Sequence, residues 1–313
     1  MTAAASAPSP PASNPAGRVA AIADFVRGYS IEATRPAAAE IAELAAILPP
    51  GAQVYLSAVA RRPPQESIQA AIGLRAAGLE PVPHVAVRGF ANLPELDEFL
   101  ARLSGEAGVE RLLVIAGDRD QPAGQLRGAI EAIDGGLLQR RGIIEIGIAG
   151  YPEGHPRIAP HDLHRALADK IGAAEATGLK LHIVTQFCFD PASISNWINR
   201  LRNFGIDHPV RIGLAGPTSV ATLVRYAGRC GVRATAQGLA RQAGLMRQLF
   251  ALSAPDAPLC ALAEPPAGAR LGDVKPHFFS FGSPTRTARW AQAVAARRIA
   301  FDGTQGFRVE PIE

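Results

Sequence analysis

Seven polar residues of this 313-residue chain stand where short apolar runs end, and their types suit proton transfer and hydrogen bonding. Glu32 lies in SIEATRP, Ser57 follows VYL, His84 lies in PHVAV and Asp118 ends IAGD. Tyr151 and His155 belong to AGYPEGHP, and Gln186 ends IVTQ in IVTQFCFDP. Apolar neighbours would desolvate the Glu32 carboxyl and raise its pKa, giving a general acid usable near neutrality. The competing reading makes it a structural carboxylate paired with Arg35 or another arginine. Gly117 lets backbone approach a ligand beside Asp118. An Asp in that position also serves as a helix N-cap or an Asx turn. Gln186 donates and accepts at once, which suits the edge of a heteroaromatic ring as well as it suits a satisfied buried amide.

Other chemistries find less support. His155, His161 and His164 gather with Asp162 in HPRIAPHDLH. A zinc hydrolase barrel wants an HxH pair on its first strand, where this chain has SIE, so no metal is expected. His161 and Asp162 read as the start of a helix, where Asp suits the first turn. No GxSxG elbow occurs, and Ser57 has no histidine base near it in sequence. Cys188, Cys230 and Cys260 are far apart without CxxC spacing. That excludes a disulfide framework and fits a reducing cytoplasm.

The elements that must position these residues alternate. Short β-branched runs fall near 28–33, 52–59, 80–87, 110–116, 143–149, 180–188, 209–215 and 275–281. Stretches of helical period fall near 36–48, 64–77, 92–104, 122–134, 160–177, 191–203, 217–229 and 284–297. A further Ala- and Leu-rich helical stretch covers 234–252. Eight strand-then-helix units predict a closed (β/α)8 TIM barrel, in which strand ends converge on one mouth. Neither GxGxxG after the first strand nor GxxxxGK[ST] is present, so a nucleotide would be held by barrel loops.

Composition sets the outer bounds. The net charge is +4, but only Lys170, Lys180 and Lys275 are lysines and the arginines are scattered. Nucleic acid needs a concentrated basic face, so it is not an expected partner. No run approaches the ~18 apolar residues of a membrane span. The opening MTAAASAPSPPASNPAG predicts a flexible tail over residues 1–17, with residues 18–313 forming one barrel domain.

Taken together, the early strand with Glu32, PHVAV, AGD, AGYPEGHP, VTQFCFD and the GLAGP close of the seventh strand resemble the methylenetetrahydrofolate reductase family. The resemblance covers most of residues 28–300. It implies a barrel that holds FAD along its mouth and interconverts 5,10-methylenetetrahydrofolate and 5-methyltetrahydrofolate, with NADH or NADPH as electron donor. By the same resemblance, Glu32 is the acid that opens the folate ring, Asp118 meets both flavin and pterin, and Gln186 contacts the pterin. Ser57, His84, Gly117, Tyr151 and His155 match flavin-lining positions, and Lys170 matches a basic residue near the phosphates.

Departures from the family pattern are local. Ala33 and Thr34 replace two Phe after the glutamate, Ala116 replaces an Arg before Gly-Asp, and Ser283 replaces an Arg near the last strand, with Arg286 slightly later. A pterin-binding barrel with altered cofactor use is the nearest alternative. A metal-dependent hydrolase and a non-catalytic partner subunit are more distant ones, and a homo-oligomer is left open.

Overall fold

The computed structural model describes residues 15–59, 63–230, 252–265, 268–301 and 306–310. The tail expected over 1–17 therefore falls largely outside the described residues, and so does most of the helix expected over 234–252. Eight parallel strands close into a barrel: Ser30–Ala33, Gln53–Leu56, Glu80–Ala86, Arg111–Ile115, Glu145–Gly150, Lys180–Thr185, Val210–Ala215 and Val274–Phe279. They follow chain order around the ring, and the first pairs with the eighth through Ser30 and His277. This is the (β/α)8 barrel that the alternation of runs predicts.

Period-two alternation assigns each strand residue to one of two cores. Ile31, Val54, Leu56, Val85, Leu112, Val114, Ile146, Ile148, Leu181 and Ile183 face the helices and join the large outer core. Tyr55, Val82, Leu113 and Val184 point the other way and form a small inner cluster in the bore. Glu32 pairs in register with Tyr55, so its side chain belongs to the bore. His84 and Gln186 follow two residues after Val82 and Val184, on that same parity. Two glycines make room inside. A Cβ on Gly147 would lie 2.8 Å from His182 Nε2, and one on Gly213 would lie 2.6 Å from the Thr185 carbonyl oxygen.

The helix expected over 122–134 is the main revision. Residues 116–129 form a loop, followed only by the short helices Ile130–Ile133 and Leu137–Arg140. Pro122 and Gly124 disfavour a helix there, and the loop finds backbone partners elsewhere. Ala123 N donates to Arg88 O at 2.9 Å and Gln125 N to Ala91 O at 2.9 Å. The approach is close enough that a Cβ on Gly124 would sit 2.0 Å from the Ala91 oxygen.

Several elements have no counterpart among the expected runs, among them the helix Asp256–Ala263. The helix Pro15–Val26 starts three residues inside the stretch expected as tail, and buries Ile22, Ala23 and Val26. Arg18 ties it to Glu264 at 3.0 Å and lies 4.2 Å over the Phe301 ring. The antiparallel pair Ile299–Phe301 and Phe307–Val309 follows the last barrel helix, Pro284–Ala295.

Candidate active site

Glu32 ends the first strand with a residue exposure of 8%. Ser57, just past the second strand, donates its Oγ proton to Glu32 Oε1 at 2.7 Å. Thr34 Oγ1 donates to Ser57 Oγ at 3.1 Å and fixes that hydroxyl. His84 Nε2 lies 3.6 Å from the same Glu32 oxygen. Burial pushes the carboxyl up to about 7, and the Ser57 bond only partly opposes it. Burial also lowers His84 to about 3, so its imidazole is neutral. Arg35 does not pair with Glu32; its guanidinium lies 3.7 Å from Glu66 instead.

Ser57, His84, Gly117 and Asp118 line one cavity beyond the ends of the second to fourth strands, with Arg35 and Arg119 on its rim. Gly117 has φ +91°, and a Cβ there would lie 2.9 Å from Ala86 Cβ. Only glycine lets the chain pass so close in that conformation. The following carboxylate is exposed, caps no helix and accepts no hydrogen bond among the described residues. Arg88, which the sequence did not single out, anchors this loop. Its Nε donates to Arg127 O at 2.7 Å, and its own backbone N–H donates to Ala116 O at 3.0 Å.

The other side of the rim is built from the fifth and sixth strands. Tyr151 and His155 meet edge to face, with ring centroids 5.4 Å apart. Burial lowers the His155 pKa, Arg157 adds to that, and the Asp118 charge opposes it. Arg157 also pairs with Asp120, joining this loop to the one carrying Asp118. Gln186 is half-buried, and its Oε1 accepts from Phe187 N at 3.0 Å. Its amide nitrogen is the end left to read a ligand.

Glu153 holds the segment that follows the sixth strand. Its Oε1 accepts from Phe189 N at 2.8 Å and Asp190 N at 3.0 Å. Asp190 then caps the helix Pro191–Asn203 by accepting from Ala192 N and Ser193 N, and Pro191 suits the first helical turn. Glu153 lies within AGYPEGHP, so the signal was in view but its partners were not.

Lys170 stands on the helix Pro160–Ala176, and burial lowers its pKa to about 8. No hydrogen bond or ion pair among the described residues joins it to the other candidates. His161 has a side-chain exposure of 75% and lies beside Asp162 near the start of that helix. Among the described residues no group of three or more His, Cys, Asp or Glu is arranged to hold a metal ion.

A second polar set lies deeper in the bore. The Tyr55 hydroxyl shares a 2.8 Å hydrogen bond with His182 Nε2, and His182 Nδ1 lies 2.9 Å from Glu145 Oε1. Arg111 Nε donates to Glu145 Oε2 at 3.0 Å. His182 first, then Arg111, hold Glu145 down at about 2 against the opposing effect of burial. Read from sequence alone, these residues are ordinary members of apolar runs.

A family model described as methylenetetrahydrofolate reductase matches residues 33–242, more than half of the chain. The chain belongs to the methylenetetrahydrofolate reductase family. Among curated proteins, methylenetetrahydrofolate reductase 2 of Saccharomyces cerevisiae (strain ATCC 204508 / S288c) is 27% identical over 163 residues. That match covers 48% of this chain and 26% of the yeast protein, so the chain aligns with about a quarter of its relative. A solved structure of dihydropteroate synthase from Thermus thermophilus aligns with TM-score 0.44 and 15% identity, covering 87% of this chain and 94% of that one. The family match begins one residue after Glu32, whose standing therefore rests on its surroundings. No helix among the described residues is long and apolar enough to cross a membrane.

Proposed function

We propose that this member of the methylenetetrahydrofolate reductase family is a flavin-dependent oxidoreductase. It interconverts 5,10-methylenetetrahydrofolate and 5-methyltetrahydrofolate, with NADH or NADPH as electron donor. One observation carries the reading: Glu32 is a buried carboxyl raised to about 7, held by Ser57 at the end of the first barrel strand. A carboxyl so placed is protonated through much of the neutral range and has no cation beside it to keep it charged.

The chemistry requires such a group. The carbon bridging N5 and N10 of the folate accepts hydride poorly until N10 is protonated and leaves. Glu32 supplies that proton, worth about 10²- to 10⁴-fold in rate. Gln186 offers its amide N–H groups to an acceptor on the pterin edge without adding charge beside the cationic intermediate. Asp118, on the facing loop, supplies the anion that favours that cation.

The residues fit FAD. Ser57, His84, Gly117 and Asp118 line one cavity with Arg35 and Arg119 beside them, a set of polar and cationic groups suited to a flavin and its phosphates. Ser57, His84, Gly117 and Asp118 would hold the flavin from one side, and Tyr151 and His155 from the other. Lys170 stands as the candidate cation for its phosphates. Bound there, the flavin supplies the hydride, and the barrel residues bind, orient and protonate the folate around it.

The test is direct. Purified protein is expected to be yellow and to bleach anaerobically with 5-methyltetrahydrofolate; colourless protein that does neither overturns the proposal. Glu32→Gln should keep the flavin and slow folate turnover at least 100-fold, in keeping with loss of a general acid. Unchanged turnover removes Glu32 from that role.

A further inference from the structure

We infer that His84 is a positioning residue which serves Glu32 in both its protonation states by exchanging one imidazole tautomer for the other. The inference rests on the reading of Glu32 as the acid. Two groups converge on one carboxyl oxygen. Ser57 Oγ donates to Glu32 Oε1 at 2.7 Å; His84 Nε2 lies 3.6 Å from that atom, just beyond hydrogen-bond length, and has no hydrogen-bond partner among the described residues. The His84 and Glu32 side chains are only 8% and 11% exposed, so water does not readily replace either contact.

An imidazole in this place has a narrow choice. Burial keeps it neutral, so it carries one N–H and one lone pair. When Glu32 is protonated, Nε2 must offer its lone pair to the carboxyl O–H, with the imidazole proton on Nδ1. When Glu32 is a carboxylate, Nε2–H must donate to it, with the lone pair on Nδ1. The exchange moves a proton between the ring nitrogens through the surroundings and leaves the imidazole uncharged throughout. An unpartnered buried polar atom is costly, and an approach of about 0.5 Å would let Nε2 bond the carboxyl in both states of the acid. Ser57 stays a donor in both.

The other groups around the pair do not take over this role. Tyr55 pairs in register with Glu32 and lies 6.1 Å from the His84 ring, but its phenol is held protonated by burial and bonded to His182. His277, 4.6 Å from Tyr55, is held neutral by burial and bonds Ser30 through Nδ1. Arg35, Glu66, Glu95, Asp118 and Arg119 also line the cavity; Arg35 lies 3.7 Å from Glu66, and Glu95 accepts from Ala91 N.

Nitrogen-15 NMR of histidine-labelled, purified protein between pH 5.5 and 8.5 tests the inference without reference to turnover. The His84 signals, assigned by their loss in His84→Gln or, if that variant does not fold, in His84→Asn, should stay neutral. Nε2 should move from a lone-pair to an N–H shift as Glu32 ionises near pH 7. Glu32→Gln should abolish that change. A His84 tautomer that stays fixed across the range, or an imidazolium there, overturns the inference. In turnover, His84→Gln should lower kcat about tenfold or more with KM changed less than about threefold. A switching His84 in a protein that never turns over folate would sink the proposed function and leave this coupling standing. A fixed tautomer with normal turnover would do the reverse.

Discussion

At the scale of single residues, the acid role proposed for Glu32 comes with a stability cost. Its folded pKa of about 7 exceeds the ordinary glutamate value of 4.5 because burial disfavours the anion. Between those values the native state binds more protons than the unfolded chain, so stability falls as pH rises across that window. The full effect is on the order of 3 kcal/mol. Glu32→Gln removes it. Melting temperatures from pH 5 to 8 should therefore decline less steeply in the variant, which should gain on the parent most at the alkaline end. Equal slopes would mean that the carboxyl titrates normally. Asp118 and Gln186 differ from Glu32 in kind, since each leaves polar atoms at the rim for a ligand to engage.

At the scale of elements, the loops after the strands are held by polar staples and close backbone approaches. The 116–129 loop lies against residues 86–91 because Gly117 and Gly124 carry no Cβ. In Gly124→Ala the new carbon would meet the Ala91 carbonyl oxygen, and a backbone atom yields less than a flexible side chain. Loss of about 2 kcal/mol or more in denaturant unfolding is expected and, on the proposed function, weakened flavin retention as the Asp118 loop shifts. A variant matching the parent in both would show that the loop is not packed in this way. Glu153→Ala tests the other staple. It frees the N–H groups of Phe189 and Asp190 and, on the proposed function, should raise the folate KM through Gln186 more than it lowers melting temperature. If only the melting temperature moves, Glu153 is structural and no more.

At the scale of the whole molecule, the barrel closes between its first and eighth strands, the pair most distant in sequence. The helix Pro15–Val26 packs beside that seam and on the final barrel helix, Pro284–Ala295. Ile22, fully buried there, should cost about 2–5 kcal/mol when cut to Ala, read as a lower denaturant midpoint. The transition should stay cooperative, because no strand of a closed ring can leave without opening it. A small early transition confined to the N-terminal helix would contradict that picture.

Much of this was legible from composition and pattern. Strand alternation put Glu32, His84 and Gln186 on the parity opposite Ile31, Val85 and Ile183, and eight repeats of strand and helix implied a closed barrel. The loop at 116–129 was misread because its residues have acceptable helical spacing, while the hydrogen bonds that hold it extended come from residues 88–91. The helix at Pro15–Val26 was missed because an Ala- and Pro-rich sequence resembles a tail until it finds a surface to bury against.

Sequence by itself therefore determined which residues face the bore and which strand ends carry polar groups, because both follow from backbone periodicity and the local choice of side chain. Only the tertiary structure decided that Ser57 and His84 meet one oxygen of Glu32, that Glu153 and Arg88 hold the loops, and that Tyr55, His182 and Glu145 form a chain. Those contacts join segments tens of residues apart, and closure of the ring is what brings them within bonding distance.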